Sequence, residues 1–120
     1  MKRLDDLKKD ISLINTVDWN LNPAVAVGRH LEWGAGWYCD DQQRGLASDE
    51  VSTYFAVNTW GEHPVIVLIR RTGFDMEEIA SFRMPADMEK AFMKSIGNHR
   101  GVYELDPHIK RWLKGQLNVQ

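Results

Sequence analysis

Val51-Ser52-Thr53-Tyr54-Phe55-Ala56-Val57-Asn58-Thr59-Trp60 is rich in β-branched and aromatic residues and predicts a strand, with Val51, Phe55 and Val57 on one face. Gly61-Glu62-His63-Pro64 supplies a turn. Val65-Ile66-Val67-Leu68-Ile69-Arg70 follows, apolar on both faces as a central strand would be. Pro64 has no N–H to give to a ladder and fits only at the beginning of that strand. A second turn at Thr72-Gly73-Phe74-Asp75 leads to residues Met76 through Met84, in which Ala80, Phe82 and Met84 alternate with Ser81 and Arg83. Three strands over 51–60, 65–71 and 76–84, joined by tight turns, predict an antiparallel meander.

The flanking segments read as helices. Leu4, Leu7, Ile11 and Ile14 recur at helical spacing and predict one N-terminal helix, with Asp5 and Lys9 paired on its outside. Its stripe is only about two heptads long, which points to packing on its own domain or on a partner. A second helix is expected from Pro23 to about Trp33, ended by Gly34 and Gly36. Residues 37–50 show neither period and form the longest irregular stretch. Met88, Ala91, Phe92 and Ile96 predict a third helix with its stop at Gly97-Asn98, and Pro85 is read as its start, without a polar cap. Ile109, Trp112, Leu113 and Leu117 predict a terminal helix in which Asp106 caps and Pro107 takes the first position. Between them Val102-Tyr103 has room for a short fourth strand. The expected fold is therefore α+β in a single domain over 1–120, with the meander covered on one face by two N-terminal and two C-terminal helices. The missing βαβ alternation argues against a doubly wound nucleotide-binding sheet.

Composition narrows the function classes. The 120 residues include 43% hydrophobic and 27% charged side chains, an ordinary globular balance. Fifteen basic against seventeen acidic residues give a net charge of −2, so nucleic acid is not an expected partner. Charge is uneven: residues 32–62 carry Glu32, Asp40, Asp41, Asp49, Glu50 and Glu62 against Arg44 alone. The longest strongly apolar run, Val65 to Ile69, is far short of the roughly 20 residues of a membrane span. A lone cysteine, Cys39, and the polar start Met1-Lys2-Arg3 lead us to expect a soluble cytoplasmic protein with no membrane partner.

Known catalytic or ligating patterns do not emerge. His30, Cys39, Asp40, Asp41, His63, His99 and His108 are metal ligands by type, but their spacing matches no H-E-x-x-H, C-x-x-C or calcium loop, and no metal or cofactor is expected. No serine lies in a G-x-S-x-G context, and the carboxylates beside Cys39 disfavour its thiolate. No catalytic residue is assigned. Trp33-Gly34-Ala35-Gly36-Trp37-Tyr38 contains a G-x-G with no third glycine and follows a helix instead of a strand, whereas a phosphate cradle sets its glycines at a helix N-terminus, so no dinucleotide motif is expected. Lys110, Arg111 and Lys114 suit the C-terminal dipole of the last helix and make a narrower patch than phosphate binding calls for.

Asp18-Trp19-Asn20-Leu21-Asn22-Pro23, Leu31-Glu32-Trp33-Gly34, Tyr54-Phe55-Ala56-Val57-Asn58-Thr59-Trp60-Gly61 and Arg70-Arg71 together resemble an uncharacterised family of small bacterial single-domain proteins, over nearly the whole chain. The resemblance implies a bacterial cytoplasmic domain and no catalytic residue. Two functional readings remain open. The first is a non-enzymatic interaction domain, a homo-oligomer or a subunit of a complex, using the stripe Leu4, Leu7, Ile11 and Ile14. The second is a small-molecule binding protein or small enzyme with a pocket near Trp33 to Tyr38, in which Glu32, Trp33, Trp37 and Trp60 bind the ligand.

Overall fold

A computed structural model of the chain describes residues 1–20, 51–72 and 75–119. The expected second helix, the Trp33 to Tyr38 segment, the irregular stretch to residue 50 and the middle of the second turn lie outside the described residues. Within them the order is α1 (Leu4–Lys8), α2 (Ile11–Ile14), β1 (Val51–Asn58), β2 (Val65–Thr72), β3 (Asp75–Phe82), α3 (Ala86–Ile96), β4 (Val102–Tyr103) and α4 (Pro107–Gln116). The four strands form one antiparallel sheet in the order β3-β2-β1-β4. The α+β class and the meander are thus as expected, with Val102-Tyr103 pairing as the fourth strand.

Pairing between β1 and β2 is unbroken for eight residues, from Val51 opposite Thr72 to Asn58 opposite Val65. Because side chains alternate across a strand, this register sends Phe55, Val57, Ile66 and Leu68 to one face and Tyr54, Ala56, Val67 and Ile69 to the other. Both sets are buried. β2 is therefore apolar on both sides for the reason its sequence suggested. The first set joins Ala80 of β3 and the inner faces of the helices, through Leu7, Met88, Phe92, Ile109 and Leu113, in the main core. Val51, expected on that face, lies at the open end of β1 and is exposed.

The sheet edges are covered by short pieces of backbone. On the β3 edge Lys2 donates its N–H to the Ile79 carbonyl and accepts from the Ser81 N–H, both at 3.0 Å, in a parallel bridge. On the β1 edge Val17 bridges Thr53, and β4 pairs with Val57 and Asn58. The buried Thr59 extends the β4 contact: its hydroxyl donates to the Gly101 carbonyl and accepts from the Gly101 N–H, each at 2.7 Å. Such coverage leaves less unpaired backbone for edge-to-edge association. A register shift between Leu68 and Ile69 inserts Ile79 as an extra residue in β3, so the alternation seen from Ala80 onward does not continue to Glu77 and Glu78, which are both exposed.

The N-terminal helix is not one helix. Lys9 and Asp10 interrupt it, with Asp10 at non-helical angles, and the chain restarts as α2. The reason is capping: the Asp10 carboxylate accepts from the Leu13 N–H at 3.2 Å, while the Asp6 carboxylate accepts from the Arg3 N–H at 2.9 Å at the start of α1. The break changes the phase of the stripe. Leu7 and Ile14 are buried and Leu4 packs half-buried on the core, but Leu13 also turns inward and Ile11 is 71% exposed. The outer ion pair is Asp5 with Lys8 at 3.7 Å, where Lys9 had been expected.

The later helices follow their stripes, except that Ala91 is exposed and Glu89 is buried in α3. Pro85 is the N-cap of α3 and not its first helical residue. Gly97, at φ 62°, ends α3 in a conformation that a side chain would strain. In α4, Asp106 accepts from the Ile109 N–H at 2.7 Å and Pro107 opens the helix, as its sequence predicts. Asp106→Ala is expected to cost about 1 kcal/mol through loss of this cap. A urea titration that showed an unchanged midpoint would remove the cap from the account of this helix.

Candidate functional site

The Leu4 to Ile14 segment and the end of α4 meet in a groove. Leu7, Ile11 and Ile14 form one wall; Leu117 and Val119 form the other; Lys8, Asn15 and Asn118 stand at its margins. Its volume is about 330 Å³. Two local devices shape it, one on each wall.

On the first wall, Asp10 caps α2 and so sets the angle at which Ile11 leaves the surface. Its second carboxylate oxygen accepts from Lys2 Nζ at 2.9 Å. Lys2 also holds the β3 edge through its backbone, so the start of α2 is tied to the sheet through a single residue. These contacts hold the Asp10 carboxyl below its ordinary pKa: first the side-chain hydrogen bond from Lys2, then the Leu13 N–H, with the Lys2 charge adding to them against a small opposing effect of desolvation.

On the second wall, α4 ends at Gln116 with Leu117 as its C-cap, and Asn118 takes φ 57°. The Val119 N–H then reaches the Lys114 carbonyl at 2.8 Å, and the Asn118 N–H reaches Gly115 at 3.4 Å. This six-to-one and five-to-two pattern is a Schellman turn, with asparagine as the residue that tolerates the left-handed region. The turn folds Val119 back beside Leu117, where it packs on the main core.

Three of the four stripe residues named from the sequence therefore meet in one place, Leu7 and Ile14 as the buried part of the first wall and Ile11 as its exposed lip. Leu4 serves the core and does not line the groove. Leu117 was legible as part of the α4 stripe. Val119 was missed in the groove and Leu13 in the core beneath it; the signals for them were Asn118 as a helix-ending residue and Asp10 as an internal N-cap. Among the proposed ligand-binding residues, Glu32, Trp33 and Trp37 lie outside the described residues, and Trp60 stands 48% exposed in the β1–β2 turn, its backbone N–H donating to Asn58 Oδ1 at 2.9 Å.

Two other clusters bring charged and aromatic side chains together. Glu89, nearly buried on α3, receives Arg83 Nη2 at 3.0 and 2.7 Å on its two oxygens and has His63 Nδ1 at 3.6 Å. This pairing ties the exit of β3 and the β1–β2 turn to α3. The carboxylate is committed to the guanidinium, which supplies the charge-assisted bonds that a buried acid requires. Trp19 stacks at 5.2 Å on Phe55 and has Lys114 Nζ 5.5 Å from its ring centre. The recess beside it, lined by Asp18, Asn20 and Lys110 among others, holds only about 40 Å³, room for water and not for an organic ligand. Among the described residues, no three His, Cys, Asp or Glu side chains gather as a metal site, and no helix is long and apolar enough to cross a membrane.

No family model, curated protein or solved structure matches the chain.

Because the Asp10 pKa is lowered by folding, its contribution to stability is complete above the unfolded carboxylate range and is lost as pH falls through the lowered native value. The Asp10→Ala variant should accordingly be less stable than the parent by a constant margin from pH 7 to about 5, and the margin should shrink below about pH 4. Urea midpoints across that range measure it, and a margin that grew on acidification would contradict the assignment.

Proposed function

We propose that the chain is a non-enzymatic interaction domain that self-associates through the groove between α1–α2 and the end of α4. The observation that supports this reading is Ile11, a large apolar side chain 71% exposed beside a groove whose walls are Leu7, Ile14, Leu117 and Val119. Apolar area left in water at such a place has a use when another surface removes it, and each fully covered side chain of this size contributes about 1.5–3 kcal/mol. Knob and groove lie on the same patch. A two-fold axis can therefore place Ile11 of each copy against the groove of the other, which is the self-complementarity of an isologous dimer. A cytoplasmic setting agrees with the lone Cys39.

Leu7 is fully buried, so an acid there would unfold the core and report nothing about association. Ile11→Asp is the informative variant, because its site is solvated in the single chain and its effect on folding should stay within about 0.5 kcal/mol. In sedimentation equilibrium the parent is expected to rise above 13.9 kDa with concentration while Ile11→Asp stays at that mass with an unchanged melt. A parent that remained at the monomer mass at every concentration, or a variant that associated like the parent, would exclude the groove as the contact.

A further inference from the structure

A second surface lies on the outer side of α4, away from Leu117 and Val119. Lys110, Arg111 and Lys114 line an open cleft of about 420 Å³, whose apolar floor is Leu105 and Pro107 and whose remaining lining residue is Glu104. Three cations against one anion mark it out on a chain whose net charge is −2. The lysines are half-buried. Lys114 is steadied over the Trp19 ring and Lys110 also lines the small recess beside that ring, so less side-chain freedom is left to lose on binding than for lysines in open solvent.

We propose that this cleft docks an extended acidic segment of a protein partner, with carboxylates on alternate residues. The spacing selects this occupant. Lys110 and Lys114 are one helical turn apart, about 6 Å along the axis, and alternate side chains of an extended strand repeat at about 6.6 Å on one face. A carboxylate at position i thus meets Lys110 and one at i+2 meets Lys114, while Arg111 on the adjoining face offers its fork to a third acid. An apolar residue beyond the acids covers Leu105 and Pro107. Glu104, on the N-terminal side of the helix, repels an acid placed there and so sets the direction in which the segment lies. A phosphate fits less well, because it needs donors converging on one point and these three charges are spread along a helix. The proposal adds a partner chemistry to the reading of the chain as an interaction domain and uses a different face from the groove.

The test uses the full chain and a fluorescein-labelled peptide of leucine followed by alternating serine and glutamate, read by anisotropy at low ionic strength. Saturable binding is expected, weakened at least tenfold by Lys110→Gln and further by Lys110→Glu, and weakened as salt is raised. A peptide with glutamine in place of glutamate should not bind, and one with the same acids in adjacent positions should bind more weakly. Unchanged urea midpoints for Lys110→Gln keep the comparison free of folding effects. The proposal is overturned if the glutamine peptide binds equally, if Lys110→Gln binds like the parent, if no saturation is reached at millimolar peptide, or if inorganic phosphate or a single-stranded oligonucleotide competes at lower concentration than the unlabelled peptide. Ile11→Asp should leave peptide binding intact and Lys110→Gln should leave the sedimentation mass intact, so the failure of either surface is seen separately from the other.

Discussion

The eight-residue ladder between β1 and β2 is the constraint on which the rest of the fold depends. Its two strands are central in the sheet and carry buried apolar side chains on both faces, so a slip of one residue would exchange the two sets. Phe55 and Leu68 are paired in this register, and with Val57 and Ile66 they form the floor against which α3, α4 and the N-terminal segment place Phe92, Leu113 and Leu7. The aromatic contacts follow from it: Phe55 receives Trp19 on one side and meets Phe82 edge-on at 6.3 Å.

With the centre so determined, the problem left to the chain is its edges. It meets that problem with fragments too short to be strands by themselves: Lys2 against β3, Val17 against Thr53, and two residues of β4 continued by the Thr59 hydroxyl. Each fragment also positions something else. Lys2 holds Asp10, and through it the start of α2; Val17 delivers Trp19 to Phe55 and Lys114; β4 delivers Tyr103 to Phe92, edge-on at 5.7 Å, and then leads into the cap of α4. Both candidate surfaces are consequences of this arrangement, since the groove needs α2 at its present angle and the cleft needs the Glu104 to Pro107 connection beside α4.

The two surfaces flank one helix and differ in physical character. Along α4 the inward residues Ile109 and Leu113 are spent on the core, Lys110, Arg111 and Lys114 remain on the outer side, and the Schellman turn at Asn118 carries Leu117 and Val119 into the groove. A helix anchored at its start by Asp106 and at its end by Asn118 is a stiff support, and side chains on it are presented with little ordering cost. An apolar contact on one side and a charged one on the other can be occupied independently, because no lining residue is shared between them.

Reading along the chain was enough for the elements whose signals are local. Three strands with turns between them, the α3 and α4 stripes, the Asp106-Pro107 start and the Gly97 stop are all set by side-chain period, backbone permission and capping within a few residues of each other. Four of the five apolar residues lining the candidate groove were legible in the same way, since Leu7, Ile11, Ile14 and Leu117 stand out at helical spacing. The remaining features depend on competition between distant groups. The periodic pattern of residues 4–14 permits one helix, but Asp10 gains a cap bond and a bond from Lys2 by breaking it, and Lys2 is itself bridged to β3. The extra residue Ile79, the exposure of Val51 and Ala91, and the meeting of Val119 with Ile11 across the groove are of the same kind. Burial and pairing are properties of where chain segments meet, and spacing along one segment does not contain the position of the other.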